Sequence, residues 1–194
     1  MKGIIFNLLE EVVTQEHGEE AWDDLLDRSG AEGAYTSLGS YPDQEFLALL
    51  QALPGGVGPT PSDLFRWFGR AAIPLLAQRY PVFFEGHDST RSLLQALNNI
   101  IHPEVRKLYP GAEVPIFDLD PIPGLELPDH AVIIGYRSGR RLCALAEGFI
   151  QGAADHFGEQ VTVEQPRCML RGDDRCALVC VFAPRREHVR IGPG

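Results

Sequence analysis

The sequence predicts an α+β protein, with an N-terminal helical subdomain packed on a C-terminal, mostly antiparallel sheet that also carries helices. Three observations predict it. Up to about residue 109 apolar residues recur at helical spacing between Gly/Pro-rich breaks. From residue 110 the chain turns proline-rich, with short extended runs. Near the end, "EQVTVEQPRCML" and "RCALVCVFAP" flank the turn "RGDD" and read as a hairpin.

The elements follow in order. Residues 2 to 27 read as a helix with apolar positions 4, 5, 8, 9, 12 and 13, broken near Gly18. "YPDQEFLALLQA", from Tyr41 to Ala52, is a second helix, stopped by "LPGGVGPTP". The third is "SDLFRWFGRAAIPLLAQRY", capped by Thr60 or Ser62 and expected to kink or restart at Pro74. "HDSTRSLLQALNNIIHPEVRKLY" starts near Ser89 or Thr90, and Pro103 puts a local distortion at His102. A strand then leads through "AVIIGYRS" into a long helix, "RRLCALAEGFIQGAADHFG", and the hairpin closes the fold. Residues 1–184 are expected to form one domain, helical over about 1–109 and strand-rich over about 110–184, with 185–194 a loose tail.

Composition narrows the function. The 194 residues, 44% apolar and 23% charged, describe an ordinary globular protein. A formal charge of −10 argues against a nucleic-acid surface or a polybasic membrane patch. No apolar run approaches the roughly 20 residues that cross a bilayer. "MKGIIFNLLEEVV" lacks the features of a signal peptide, so a cytoplasmic location is expected. No P-loop, dinucleotide fingerprint or nucleophile elbow is present, and the pairs Glu10/Glu11, Glu19/Glu20 and Asp173/Asp174 read as solvated faces rather than acid–base pairs. A binding or regulatory protein fits better than an enzyme.

Three groups of residues could carry chemistry. His102 stands near the edge of an apolar stripe with Leu94, Ile101, Val105 and Leu108. Without a second ligand such as H-E-x-x-H provides, it cannot build an all-protein catalytic metal site, but one histidine suffices to hold a haem iron. Strand parity puts Val132, Ile134, Tyr136 and Ser138 on one face, and two further extended residues would add Arg140. Such a trio is either the solvated end of an edge strand or an anion clamp; a guanidinium on the core side needs a partner. Cys168 and Cys176 flank the hairpin connection, and Cys143 lies early in the long helix. Three thiolates could hold zinc, whereas Cys176 and Cys180, about 13 Å apart along a straight strand, cannot share one. Buried free thiols are the competing reading.

Taken together, "MKGIIFNLLEE", the histidine of "NNIIHPEVRKLY", Pro115 of "EVPIF" and "YRSGRRLCALAEG" resemble the H-NOX family, the haem–nitric oxide/oxygen binding domains related to the haem domain of soluble guanylate cyclase. The resemblance spans essentially the whole chain. It implies haem b buried between the helical and strand-rich parts, His102 as axial ligand, Tyr136, Ser138 and Arg140 as the propionate clamp, and Pro115 as the residue that presses on the porphyrin. Oxygen-binding members use a distal tyrosine, whose position corresponds to Leu145 here; Ile5, Leu9, Ala72 and Phe149 complete the distal pocket, all apolar. The resemblance therefore implies a sensor of nitric oxide, also binding CO, that discriminates against O₂.

The implied mechanism is a switch in which nitric oxide weakens the His102–iron bond, the porphyrin relaxes from Pro115, and the N-terminal helices shift for a partner to read. That partner is expected to be a separate sensor histidine kinase or cyclic-di-GMP enzyme. Some relatives use a Cys/His zinc site that Cys143, Cys168 and Cys176 match, but Gln165 stands where its histidine is expected, and Cys180 could serve thiol oxidation instead. "CMLRGDDRCALVCVF" also resembles vinyl-reductase-like small-molecule binding domains, so a haem-free binding module and a cysteine or zinc redox sensor are the alternatives.

Overall fold

The structure, a computed structural model, describes residues 1–53, 58–119 and 131–183; the expected tail over 185–194 lies outside them. Helices α1 (Gly3–His17) and α2 (Glu20–Ser29) are parted at Gly18, as the break in periodicity predicts, and Gly30 ends α2 in the left-handed conformation glycine favours. Helix α3 (Asp43–Gln51) follows, and α4 (Pro61–Arg79) opens with a full capping box. The Thr60 hydroxyl accepts from the Asp63 amide at 3.2 Å, and the Asp63 carboxylate accepts from the Thr60 amide at 3.1 Å. Of the two outcomes expected at Pro74, the restart does not occur: α4 runs through it as one helix.

The histidine-bearing segment divides into α5 (Thr90–Ala96), a π-helical turn (Leu97–Ile101) and α6 (His102–Leu108). The irregularity therefore precedes His102 rather than sitting on it. Pro103 is second in α6, in the first turn, where proline is best tolerated.

The sheet is antiparallel throughout, in the order β1 (Ile116–Asp118), β2 (Ala131–Arg137), β4 (Cys176–Phe182), β3 (Val161–Arg167). Helix α7 (Cys143–His156) enters the sequence between β2 and β3 and lies along α4. Three glycines bring these two helices together. A Cβ on Gly69 would meet the Leu145 carbonyl oxygen at 2.6 Å, one on Gly148 the Arg66 oxygen at 2.2 Å, and one on Gly152 the Arg70 oxygen at 2.6 Å. Only backbone without side chains can approach so closely.

An apolar core fills the helical half around Phe6, Leu9, Phe46, Phe68, Ala72 and Leu145. A second, under the sheet, joins Phe117, Tyr136, Ile134, Cys143, Ile150 and Leu178. A third gathers Ile73, Phe84, Leu93, Ile101 and Ala153, and Phe149 packs against both it and the first. Helix α7 thus contributes to all three, one face to each neighbour.

Candidate functional site

His102 begins α6 and is 8% exposed, one of two polar residues buried among the described ones. Its imidazole ring lies 5.7 Å from that of Phe117 and close to the Pro115 backbone, while Nδ1 is buried without a partner. Burial first, then the Arg106 charge, push its pKa down to about 4, so the ring is neutral near pH 7 and keeps a lone pair for a metal. Pro115 itself precedes β1, so the axial candidate and the proline face each other across helix and strand.

Tyr136 and Ser138 come together as strand parity predicts. Tyr136 is buried, its ring lies 5.7 Å from Phe117, its oxygen accepts from the Leu142 amide at 3.1 Å, and Ser138 hydrogen-bonds it. Burial outweighs these bonds and raises its pKa, so the phenol stays protonated and able to donate.

Arg140 arrives by another route. Strand β2 ends at Arg137, which is exposed on the opposite face, and the chain turns, with the Arg140 amide donating to Ser138 Oγ at 3.2 Å. The expected two-residue extension of the strand is therefore wrong: a turn, not the pleat, brings the Arg140 amide onto Ser138. The next residue, Arg141, is the one non-glycine with positive φ (53°) among the described residues. It brings the chain round into α7.

The anion that the buried-side guanidinium requires is present in the protein. Arg140 Nε donates to Asp43 Oδ2 at 2.7 Å and Nη2 to Asp43 Oδ1 at 2.6 Å, a two-pronged pair between α7's approach and the start of α3. Asp43 Oδ1 also accepts from the Met1 amino group at 2.8 Å. Sequence reasoning missed Asp43, whose only signal is an acidic residue in the first turn of a helix. The pair uses one edge of the guanidinium, and Nη1 has no partner among the described residues.

Burial tends to raise the Asp43 pKa, but the bonds and charges of Arg140 and the amino group prevail and hold it below the ordinary carboxylate range. A carboxyl whose pKa is lowered on folding stabilises above that range and loses the effect as pH falls through its folded value. Asp43→Asn should therefore lower Tm near neutral pH, with the gap to the parent protein narrowing toward pH 3. Melting curves across pH check this; a gap constant down to acid would show that the carboxylate charge is not what matters.

The five apolar residues expected on the distal side gather in one cluster. Leu9 and Ala72 are fully buried, Leu145 is buried, and Ile5 and Phe149 pack against them half-buried. None carries a hydrogen-bond donor on its side chain. This wall stands where α1, α4 and α7 meet.

Cys143, Cys168 and Cys176 are all buried, with their sulfurs within 4.8 Å of one another; Cys143 and Cys168 Sγ are 3.8 Å apart. Burial is the leading cause that pushes Cys176 up to about 12, and neighbouring thiols add to it. Cys180 is also buried and is not in this group; its Sγ interacts with the Leu178 carbonyl. Gln165, on β3 with Val161 and Val163, has a buried Nε2 without a partner, and no fourth Cys, His, Asp or Glu joins the three sulfurs among the described residues.

A family profile described as Haem-NO-binding matches residues 2–165. Among solved structures, an H-NOX protein from Shewanella oneidensis in the Fe(II)NO ligation state is 32% identical, with TM-score 0.79, and the match covers 95% of this chain and 100% of that one. The Fe(II) unliganded H-NOX protein from K. algicida is 26% identical, TM-score 0.78, covering 96% and 98%. An oxygen-binding H-NOX domain related to soluble guanylate cyclases shares the fold at TM-score 0.74 and 22% identity, over 95% and 96%. No curated protein matches the chain.

Proposed function

The chain belongs to the H-NOX family of haem gas-sensor domains, and from that premise we propose that it senses nitric oxide, also taking CO, and holds O₂ poorly. His102 carries the reading: a neutral histidine, buried in apolar surroundings beside Pro115 and with an unpartnered ring nitrogen, is costly unless something uses it. Haem, when bound, supplies a ferrous iron to which a diatomic gas can bind. The residues fit that group. His102 would hold the iron, Pro115 would lie against the ring, and Tyr136, Ser138 and the open Nη1 of Arg140 would take the propionates while Asp43 keeps the other edge of the guanidinium.

The distal wall supports the choice of gas. Iron-bound O₂ draws electron density and is held by a hydrogen-bond donor, which Ile5, Leu9, Ala72, Leu145 and Phe149 cannot supply. Nitric oxide and CO need none. We infer that the signal passes to a partner of the sensor histidine kinase or cyclic-di-GMP enzyme class, which distinguishes the two states of the domain. The three-thiol cluster is the place a zinc ion would occupy, one ligand short of the usual four. Among the described residues no helix is long and apolar enough to cross a membrane.

An absorption spectrum of the reduced protein tests the reading. A Soret band near one haem per chain should shift on adding nitric oxide, as a single axial histidine implies. The same protein opened to air should oxidise without giving a stable oxygenated spectrum. A stable one would overturn the assignment of the gas, and no Soret band would overturn the haem.

A further inference from the structure

His102 and Pro115 lie on different elements, and the relation between them depends on how α6 and its π-helical approach sit against the edge of β1. That edge is unusual. β1 has three residues and is the outermost strand, so among the described residues its far side has no strand to pair its backbone groups. Within a strand, backbone groups of residues i and i+2 point to the same side. Pro115 and Phe117 therefore address one edge, away from β2.

The helix meets this edge at two points. Asn98, in the π-helical turn, uses its carboxamide as a strand would use a peptide: Nδ2 donates to the Phe117 carbonyl, and Oδ1 accepts from the Phe117 amide at 3.2 Å. His102, four residues on, lies close enough to the Pro115 backbone to feel its carbonyl. Four helical residues rise about 6 Å, and two strand residues about 6.6 Å, so the steps match and both pairs can form together. The proline end has no amide proton and can offer only its carbonyl. Both side-chain hydrogen bonds across this junction among the described residues thus belong to Asn98. The Phe117 ring, fixed by the same backbone, lies between the rings of His102 and Tyr136, 5.7 Å from each.

We propose that Asn98 is a positioning residue: its carboxamide sets the register of the Pro115–Phe117 edge against the His102 helix, and through it the pressure of Pro115 and the orientation of His102 toward the haem. The haem part of this rests on the sensor reading above; the register part does not. The Asn98 carboxamide is taken up by the Phe117 backbone, so it acts through the strand edge. Its effect is to stop the strand edge from sliding or swinging away when the histidine helix is pulled.

Two measurements on Asn98→Ala and Asn98→Gln test it. In haem-free protein, hydrogen exchange of the Phe117 amide should quicken about tenfold in Asn98→Ala, the loss expected for one net hydrogen bond. In haem-loaded protein, Asn98→Ala should move the reduction potential and the out-of-plane porphyrin Raman bands in the direction that Pro115→Ala moves them. The double variant should then add little to Pro115→Ala alone. Asn98→Gln, whose longer amide can still reach, should restore part of both. Unchanged Phe117 exchange overturns the register claim. Quickened exchange with unaltered potential and Raman bands, or effects that simply add to those of Pro115→Ala, overturns the positioning role. A parent protein that takes up no haem overturns the sensor reading, and the Phe117 exchange then still decides the register claim.

Discussion

His102→Ala yields a folded protein that keeps no haem, and imidazole supplied in solution restores the Soret band. The expectation rests on a count of ligands. Among the described residues His102 is the one buried histidine, and the apolar residues of the opposite wall offer no atom that could replace it. If His102 is the axial ligand, the substitution leaves no buried histidine among the described residues to replace it, so the effect should be near total rather than a matter of degree. It leaves a space the size of the lost ring beside Phe117, which free imidazole can enter. Because the ring is neutral near pH 7, its removal uncovers no ion pair, and circular dichroism should remain that of the parent. Haem loading equal to the parent's would sink the ligand assignment.

The same residue shows how much of the site the sequence alone reveals. His102 and the Tyr136–Ser138 pair were legible because helix and strand periodicities place side chains on faces, and a polar residue on an apolar face stands out. The cysteine trio was legible for a related reason: two thiols flank one hairpin, and their third partner starts the helix that packs on it. For Arg140 the strand geometry did not hold, and its guanidinium is found on Asp43. Parity cannot see that a turn at residues 138–141 replaces two residues of strand.

What stayed hidden depends on pairs far apart in sequence. Asp43 meets Arg140 across 97 positions, and no local pattern announces it. The consequence is substantive: the argument that a buried guanidinium demands an outside anion is answered within the chain, so the clamp reading rests on the family and on the open edge of Arg140. Asn98 was invisible too, because an exposed asparagine ahead of a histidine looks like surface until the strand edge it satisfies is in view. Nothing near Gly69 in the sequence announces the close crossing, because Gly148 and Gly152 stand on a helix that begins 74 residues later, at Cys143.

That glycine crossing gives the second large effect. Gly148→Ala changes one hydrogen to a methyl in the middle of α7, and two effects oppose each other. Alanine is the better helix former, by about 1 kcal/mol. Against that, the new Cβ would lie 2.2 Å from the Arg66 carbonyl oxygen, 2.9 Å from its carbon and 3.0 Å from its Cα. All three are backbone atoms of a helix and cannot rotate away, so relief requires α4 and α7 to separate along their length. Gly69 and Gly152, whose contacts are nearly as close, would lose their packing with it. The adjacent Arg66–Glu147 ion pair, 2.9 Å long, would be stretched. Overpacking of this kind costs about 1–3 kcal/mol beyond what propensity returns, or roughly 2–12 °C in Tm for a chain of this size. Separation of α4 from α7 also parts Ala72 from Leu145, which widens the distal wall, so the variant should bind gases with altered rates as well as melt earlier. Gly86→Ala is the control, since a Cβ there meets nothing within 4 Å and the backbone needs no glycine. Melting at the parent temperature for Gly148→Ala would mean that the two helices are free to move apart, and that the close crossing is not what fixes the distal wall.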